Sequence, residues 1–296
     1  MEENTNKISK VPQIAGVSNF VNEIKQLIDS VSEKTFSVCL YGEKGTGKKL
    51  FAQTVHLKTS KNLRNFVEIN CRSFDENTIN ELLQSYAQLD SVDSKITLFV
   101  NYIEELSAGS QSVFLDAVKS FSAKQLNLQI ISSTEYSQDK LKEVLNGELL
   151  FYLKNIQLNF IPLRNRKEDI IPVSNYYLER FNKGSGLKLQ GFTNAAIQAL
   201  QDNFWTGNAD ELINCIQHAF IVCKTKTIDC ADLTLGTNSM EKLDMTLKDA
   251  VDGFKRDYIT KVLEANNWNQ TKTAKVLGIQ RTYVIKLINE LQIKKN

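Results

Sequence analysis

The sequence predicts an α/β domain built on a parallel sheet, followed by an all-helical segment and ending in a helix-turn-helix. Three observations carry that expectation. Five short apolar runs alternate with helical patterns up to Pro162, and only helical periodicity follows. Near the C-terminus a glycine separates two short amphipathic segments in a strongly basic stretch.

The elements read in order as follows. Residues 1–12 (MEENTNKISKVP) are a polar tail without the apolar core of a secretion signal. Residues 13–161 form the α/β segment. It opens with an amphipathic helix over Ala15–Val31, its apolar face carrying Val21, Ile24, Leu27, Ile28 and Val31. Strands are predicted at Phe36–Tyr41, Phe66–Asn70, Ile96–Val100, Leu128–Ser133 and Ile156–Phe160. Helices fall at Lys48–Lys58, Glu76–Gln88, Ser110–Phe121 and Gln138–Leu145. Strands this uniformly apolar suit a parallel sheet covered on both faces. Residues 162–235 read as helices Ile170–Lys183, Asn194–Phe204 and Ala209–Cys223. Residues 236–246 lack periodicity and read as a linker. Residues 247–296 give helices at Leu247–Ala265, Gln270–Leu277 and Arg281–Leu291.

Composition narrows the function classes. A chain that is 42% hydrophobic and 24% charged is not wholly disordered. No apolar run approaches the eighteen residues of a membrane span, so a cytoplasmic protein is expected. Five cysteines without a C-x-x-C pair, and two histidines, argue against zinc and for reduced, mostly buried thiols. The net charge of +2 hides an asymmetry. Lys242–Asn296 holds eleven Lys/Arg and six Asp/Glu, so an anionic partner is expected there.

The first chemical motif is Gly42-Glu43-Lys44-Gly45-Thr46-Gly47-Lys48, a GxxxxGK phosphate loop. It follows a predicted strand and opens a helix, the context the chemistry requires. Glycines let backbone amides turn inward around phosphates, and the helix N-terminus adds partial positive charge. The lysine reaches the β/γ oxygens. The Ser or Thr that would hold Mg²⁺ is replaced by Lys49. Residues 42–49 are thus the candidate nucleotide contacts, with ATP or ADP as cofactor.

Five segments then carry a resemblance. They are GEKGTGKKLFAQTVH (Gly42–His56), FVEINCRSF (Phe66–Phe74), LFVNYIEELS (Leu98–Ser107), IPLRNRKEDI (Ile161–Ile170) and FWTGNADEL (Phe204–Leu212). Together they resemble the AAA+ domain of the NtrC-like bacterial enhancer-binding proteins, ATPases that activate σ54 RNA polymerase. The resemblance runs from Val11 to the C-terminus. It implies that 13–161 is an AAA+ α/β subdomain and 162–235 its helical lid. With a dozen residues ahead of it, no sensory domain is expected.

The family pattern also implies losses. Its Mg²⁺-binding Asp and water-polarising Glu correspond to Asn101 and Tyr102. An amide lacks the charge a hard cation needs, and a phenol with a pKa near 10 is a poor base at neutral pH. Glu104 and Glu105 follow, in what reads as a helical stretch pointing elsewhere. The family's sensor asparagine is Glu135, its intersubunit arginines are Asn146 and Tyr152, and its lid arginine is Asp210. The GAFTGA loop that touches σ54 is missing, since only Ser85–Lys95 separates the second helix from the third strand. These departures imply no hydrolysis, no metal site and no σ54 contact.

The tail resembles a Fis-type helix-turn-helix, and its residues support that reading independently. Asn269 is placed to cap a helix with Ala274 and Leu277 inward, Gly278 permits the turn, and Ile279 plugs the junction. Val284, Leu287, Ile288 and Leu291 form the buried face of the second helix. Gln280, Arg281, Thr282 and Tyr283, with Lys286 one turn on, are placed to meet base edges and phosphates. Thr271 and Lys272, with Lys275, Lys294 and Lys295, complete the expected contact to double-stranded DNA. The apolar stripe of Leu247, Ala250, Val251, Phe254, Tyr258 and Val262 predicts a homodimer or higher homo-oligomer. The reading is therefore a DNA-binding transcriptional regulator with a degenerate AAA+ body, in which RNA polymerase or another regulator is a further partner. The alternative is a slow but active AAA+ ATPase activator.

Overall fold

The computed structural model describes residues 13–32, 36–59, 65–73, 77, 81, 96–123, 128–185 and 188–235 of the body. Of the C-terminal segment it describes 255–256, 258–260, 262–263, 266, 268–291 and 293. The polar tail, most of the predicted Glu76–Gln88 helix, the Ser85–Lys95 connection, the linker, most of the Leu247–Ala265 helix, and Lys294 and Lys295 lie outside these residues. The chain divides into two units, Met1–Gly236 and Thr237–Asn296.

In the first unit, α1 spans Asn19–Ser32, four residues later than the start its periodicity predicts. Residues 13–17 are non-helical instead, and Asp169 fastens their end. Its Oδ1 accepts the backbone N–H groups of Val17 (2.7 Å) and Ser18 (2.8 Å), and its Oδ2 accepts the Ser18 hydroxyl (2.7 Å). Then follow β1 (Val38–Tyr41), α2 (Lys48–Thr59), β2 (Asn65–Asn70) and β3 (Ile96–Asn101). Next come α3 (Ala108–Ala123), β4 (Leu128–Thr134), α4 (Gln138–Val144), α5 (Gly147–Leu153) and β5 (Ile156–Asn159). The helix α5 is new relative to the sequence reading. Asn146 interrupts the chain after α4 and caps α5, its Oδ1 accepting from Glu148 N (2.8 Å) and Leu149 N (3.4 Å).

The strands pair in parallel in the order β2-β3-β4-β1-β5. Alternation along β1 divides the core between the two faces. Cys39 and Tyr41 join a cluster with Val67, Val100, Phe114, Leu141 and Leu149, from the other strands and α3 to α5. Val38 and Leu40 join Ile24, Ile28, Phe51 and Val55 from α1 and α2. Of the five thiols, Cys39, Cys71 and Cys215 are buried, Cys230 is exposed, and all are free. Burial pushes the Cys71 thiol up to about 12, so it stays protonated at neutral pH.

The helical segment comprises α6 (Ile170–Ser185), α7 (Asn194–Asp202) and α8 (Asn208–Val222). Its core includes Leu163, Ile170, Leu200, Leu212 and Ile216 around Trp205. Trp205 is fully buried and satisfies its indole N–H on the Leu200 carbonyl at 2.8 Å.

In the second unit, α9 spans Gln270–Leu277 and α10 spans Arg281–Glu290. Asn269 caps α9 through Thr271 N and Lys272 N, both at 3.1 Å. Gly278 turns the chain with φ 66°. Its Ile279 packs against a small core of Ile259, Leu263, Leu287, Leu291 and Ile293. The Arg256 Nε–H donates to the Leu291 carbonyl at 2.8 Å, fixing the preceding helical residues to the end of α10.

Candidate functional site

The phosphate loop lies between the end of β1 and the start of α2. Gly42 N–H donates to the Thr134 carbonyl (3.2 Å), so the loop begins beside the end of β4. Gly42, Gly45 and Gly47 have φ of 141°, 76° and 106°, values that favour glycine. At Gly45 the restriction is also steric, because a Cβ would lie 2.2 Å from the Gly207 carbonyl oxygen. The first N–H groups of α2 have no intrahelical partner and form the positive end of its dipole. Lys48 is almost wholly buried, and its ammonium donates to the carbonyls of Gly42 and Glu43. Burial pushes its pKa down, while Glu135, Glu104, Asp210 and Glu43 oppose that shift.

Residues that the sequence reading did not single out hold the helical segment onto this loop. Arg164 grips the Glu43 carboxylate with both terminal nitrogens, one contact being 2.7 Å, and this hydrogen bonding holds Glu43 below the usual carboxylate range. The Asn208 Nδ2 donates to Glu43 (3.1 Å) and to the Lys44 carbonyl (2.9 Å), while its Oδ1 accepts from Leu163 N (2.8 Å). Ala209 N–H reaches the Gly45 carbonyl at 3.0 Å. Arg166 donates to the Thr46 carbonyl (2.9 Å) and lies 3.6 Å from Asp169. The Glu43 side chain, grouped with the nucleotide contacts in the sequence reading, is therefore engaged by the lid. The partners come from the RNRKED and GNADEL stretches, and only their chemistry could have hinted at the pairing.

A cavity of about 700 Å³ opens alongside, within the range usual for small-molecule sites. Its lining includes the apolar Ile14, Phe20, Val21, Phe160, Leu163 and Val173. The loop residues Lys44–Lys49, Asn101 and Tyr102 at the end of β3, and Tyr177, Arg180 and Asp210 of the helical segment line it as well.

The residues do not fit a metal. Lys49 turns to Glu68 at 2.7 Å, and Asn101 Oδ1 accepts the Ser133 hydroxyl at 2.6 Å. Among the described residues no group of three or more His, Cys, Asp or Glu is arranged to hold an ion. Tyr102 adopts left-handed backbone, φ 58° and ψ 51°, with Arg72 stacked over its ring at 3.7 Å. Asn146 caps α5, and Tyr152 packs against the core, so the implied arginine positions serve local structure.

Ile103–Glu105 is a single 3₁₀ turn rather than a continuing helix, and it sets Glu104 beside the residue that follows β4. The Glu104 Oε1 accepts Glu135 N–H at 2.9 Å, and its Oε2 is buried without a hydrogen-bond partner among the described residues. Arg72 spans Glu105 and Glu135 at 3.4 Å each.

On the second unit, Gln280, Arg281, Thr282, Tyr283 and Lys286 are all exposed, as are Thr271 and Lys272. Val284, Leu287 and Leu291 are buried, with Ile288 half-buried beside them. Lys286 pairs with Glu290 at 3.5 Å, an exposed contact worth about 0.3–0.5 kcal/mol and easily exchanged for a phosphate. Ile259 and Leu263 face the small core, whereas Tyr258 is exposed.

Sheet order, a phosphate loop after β1 and a helical lid together define the AAA+ class. Three family models match the chain in succession. They are the Sigma-54 interaction domain over 14–159, the AAA+ ATPase lid domain over 164–249, and the Bacterial regulatory protein, Fis family, over 254–285. That order of domains places the chain in the NtrC-like AAA+ family of enhancer-binding proteins. Relatives include the transcriptional regulatory protein ZraR of Klebsiella oxytoca, 26% identical over 90% of this chain and 66% of its own length. The Nif-specific regulatory protein of Azotobacter vinelandii is 28% identical over 93% of this chain and 59% of its own. The chain thus spans two thirds or less of these relatives. In fold it is similar to NtrX from Brucella abortus crystallised with ADP, with a TM-score of 0.65, 19% identity, and coverage of 94% and 69%. It is also similar to RuvB from Thermotoga maritima, with a TM-score of 0.52, 14% identity, and coverage of 93% and 88%. No described helix is long and apolar enough to cross a membrane.

Proposed function

We propose that this protein is a sequence-specific DNA-binding transcriptional regulator whose AAA+ body binds ATP or ADP without hydrolysing it. The observation that carries this reading is a contrast within one site. The loop and cavity suit a nucleotide, while Lys49 and Asn101, where a metal would be held, are engaged by Glu68 and Ser133. The nucleotide-bound NtrX structures are consistent with such a ligand. Residues Gly42–Lys49 then contact the phosphates. Exposed Gln280, Arg281, Thr282, Tyr283 and Lys286, with Thr271 and Lys272, contact DNA. The acting species is a homodimer or higher homo-oligomer assembled through the helix that contains Tyr258. Selection of bound genomic fragments, with equilibrium titration of ADP and ATP, tests both halves. Absence of any preferred fragment would refute the first, and absence of nucleotide binding the second.

The same reading holds that the protein acts without σ54, through RNA polymerase of another kind or another regulator. Its support is the brevity of Ser85–Lys95, although the family model is named for contact with σ54. Regulation of a reporter should persist in cells lacking σ54, and its loss there at unchanged protein level refutes this part. The buried, unpartnered Oε2 of Glu104, beside the end of β4, favours one second reading, a slow ATPase with Glu104 as base. Single-turnover phosphate release abolished by both Lys48→Ala and Glu104→Gln would establish it.

A further inference from the structure

We propose that Glu104 and Glu135 make the nucleotide site selective for a nucleoside diphosphate over the corresponding triphosphate. This deepens the reading that the AAA+ body binds nucleotide, and rests on it.

The cavity lining combines apolar groups, the glycine loop Lys44–Lys49, and Asn101 and Tyr102 at the end of β3. With the first phosphates on the loop, a third phosphoryl group extends toward the ends of β3 and β4. Two carboxylates, Glu104 and Glu135, follow the ends of these adjacent strands. Glu135 follows Thr134, whose carbonyl receives the Gly42 N–H that starts the loop. Glu104 is folded back by the 3₁₀ turn and bonded through Oε1 to Glu135 N–H. Its Oε2 is buried with no described partner, so no donor neutralises it. Both carboxylates act on the buried Lys48 ammonium, as do Asp210 from the lid and Glu43 from the loop, so this lysine already carries the field of four anions. Arg72 is the compensating cation on Glu135. Its contact is 3.4 Å and both partners are partly exposed, a kind of pair that contributes little. Where a metal would screen a terminal phosphate, Lys49 and Asn101 are already engaged. Removing the terminal phosphoryl group removes the charge nearest the two carboxylates and leaves the loop contacts intact.

The experiment is calorimetric titration of the full chain with ADP and with ATP, each in chelator and in Mg²⁺. ADP should bind at least tenfold more tightly than ATP, with little change on adding metal. Glu104→Gln keeps the oxygen that accepts from Glu135 N–H, and Glu135→Gln leaves its backbone contact in place. Each should narrow the ratio about threefold or more, and the double variant should bring it near unity by strengthening ATP binding. Asp139→Asn, an exposed carboxylate on α4, serves as a control that leaves the ratio unchanged. Equal affinity of the parent for both nucleotides, or a ratio unmoved in the folded double variant, overturns the proposal while leaving nucleotide binding standing. Failure of the parent to bind either nucleotide overturns the underlying reading and this inference with it.

Discussion

Asp169→Asn tests how residues from opposite ends of the first unit build the cavity. Asp169 is fully buried and accepts three hydrogen bonds of 2.7–2.8 Å from Val17 N, Ser18 N and Ser18 Oγ, with Arg166 at 3.6 Å. The amide keeps the shape but removes the charge, so the two backbone bonds fall from charge-assisted to neutral strength. With Oδ1 kept for the two backbone N–H groups, its NH₂ group takes the place of Oδ2 and faces both Ser18, which can accept, and Arg166, which cannot. Hydrogen bonds to charged groups contribute about 1.5–3 kcal/mol and neutral ones about 0.5–1.5, so two weakened bonds and one compromised contact cost roughly 2–4 kcal/mol. For a unit of this size that is a fall in Tm of roughly 5–15 °C. Scanning calorimetry and urea unfolding measure it. Gln13, Ile14 and Ala15, which line the cavity, lead into the fastened residues, so nucleotide affinity should fall as well. A variant within about 0.5 kcal/mol of the parent, the usual range for inconsequential surface changes, would refute the assignment of Asp169 as the fastener.

Three further outcomes follow from named contacts. Gly45→Ala places a methyl 2.2 Å from the Gly207 oxygen at φ 76°, so loop and lid must part. The dihedral alone costs about 1–2 kcal/mol, and urea unfolding together with nucleotide titration should show both stability and affinity reduced. Glu43 has a depressed pKa because Arg164 donates to it, so its contribution is present above its unfolded pKa, about 4.3, and is lost as pH falls through the lower folded value. The stability difference between the parent and Glu43→Gln should accordingly hold from pH 7 to about 5 and close below about 4 in urea titrations. On the DNA side, Arg281→Ala should cost about 1–3 kcal/mol and relax sequence preference, while Lys272→Ala weakens all sequences alike and shallows the salt dependence. Gel-shift titrations on a selected and a scrambled site separate the two behaviours.

The sequence by itself determined the strands, the phosphate loop and the last two helices. Each is a local pattern. Val38–Tyr41 is buried at every residue, so apolar composition alone marks it. Gly278 needs positive φ because two helices meet there, and Val284, Leu287 and Leu291 repeat at helical spacing. Where a side chain goes after its element ends was decided only by the tertiary structure. Tyr102 bends the chain through left-handed backbone, and the turn that follows sets Glu104 on the backbone of Glu135 after β4, a contact periodicity does not show. The delayed start of α1 reflects a carboxylate some 150 residues distant, which outweighs the helical preference of Ala15–Ser18. Glu43 is held by Arg164 and Asn208 across 121 and 165 positions. The physical reason is range: burial and backbone dihedral preferences are written into neighbouring residues. Pairing between charged groups depends on which chain ends the sheet brings together.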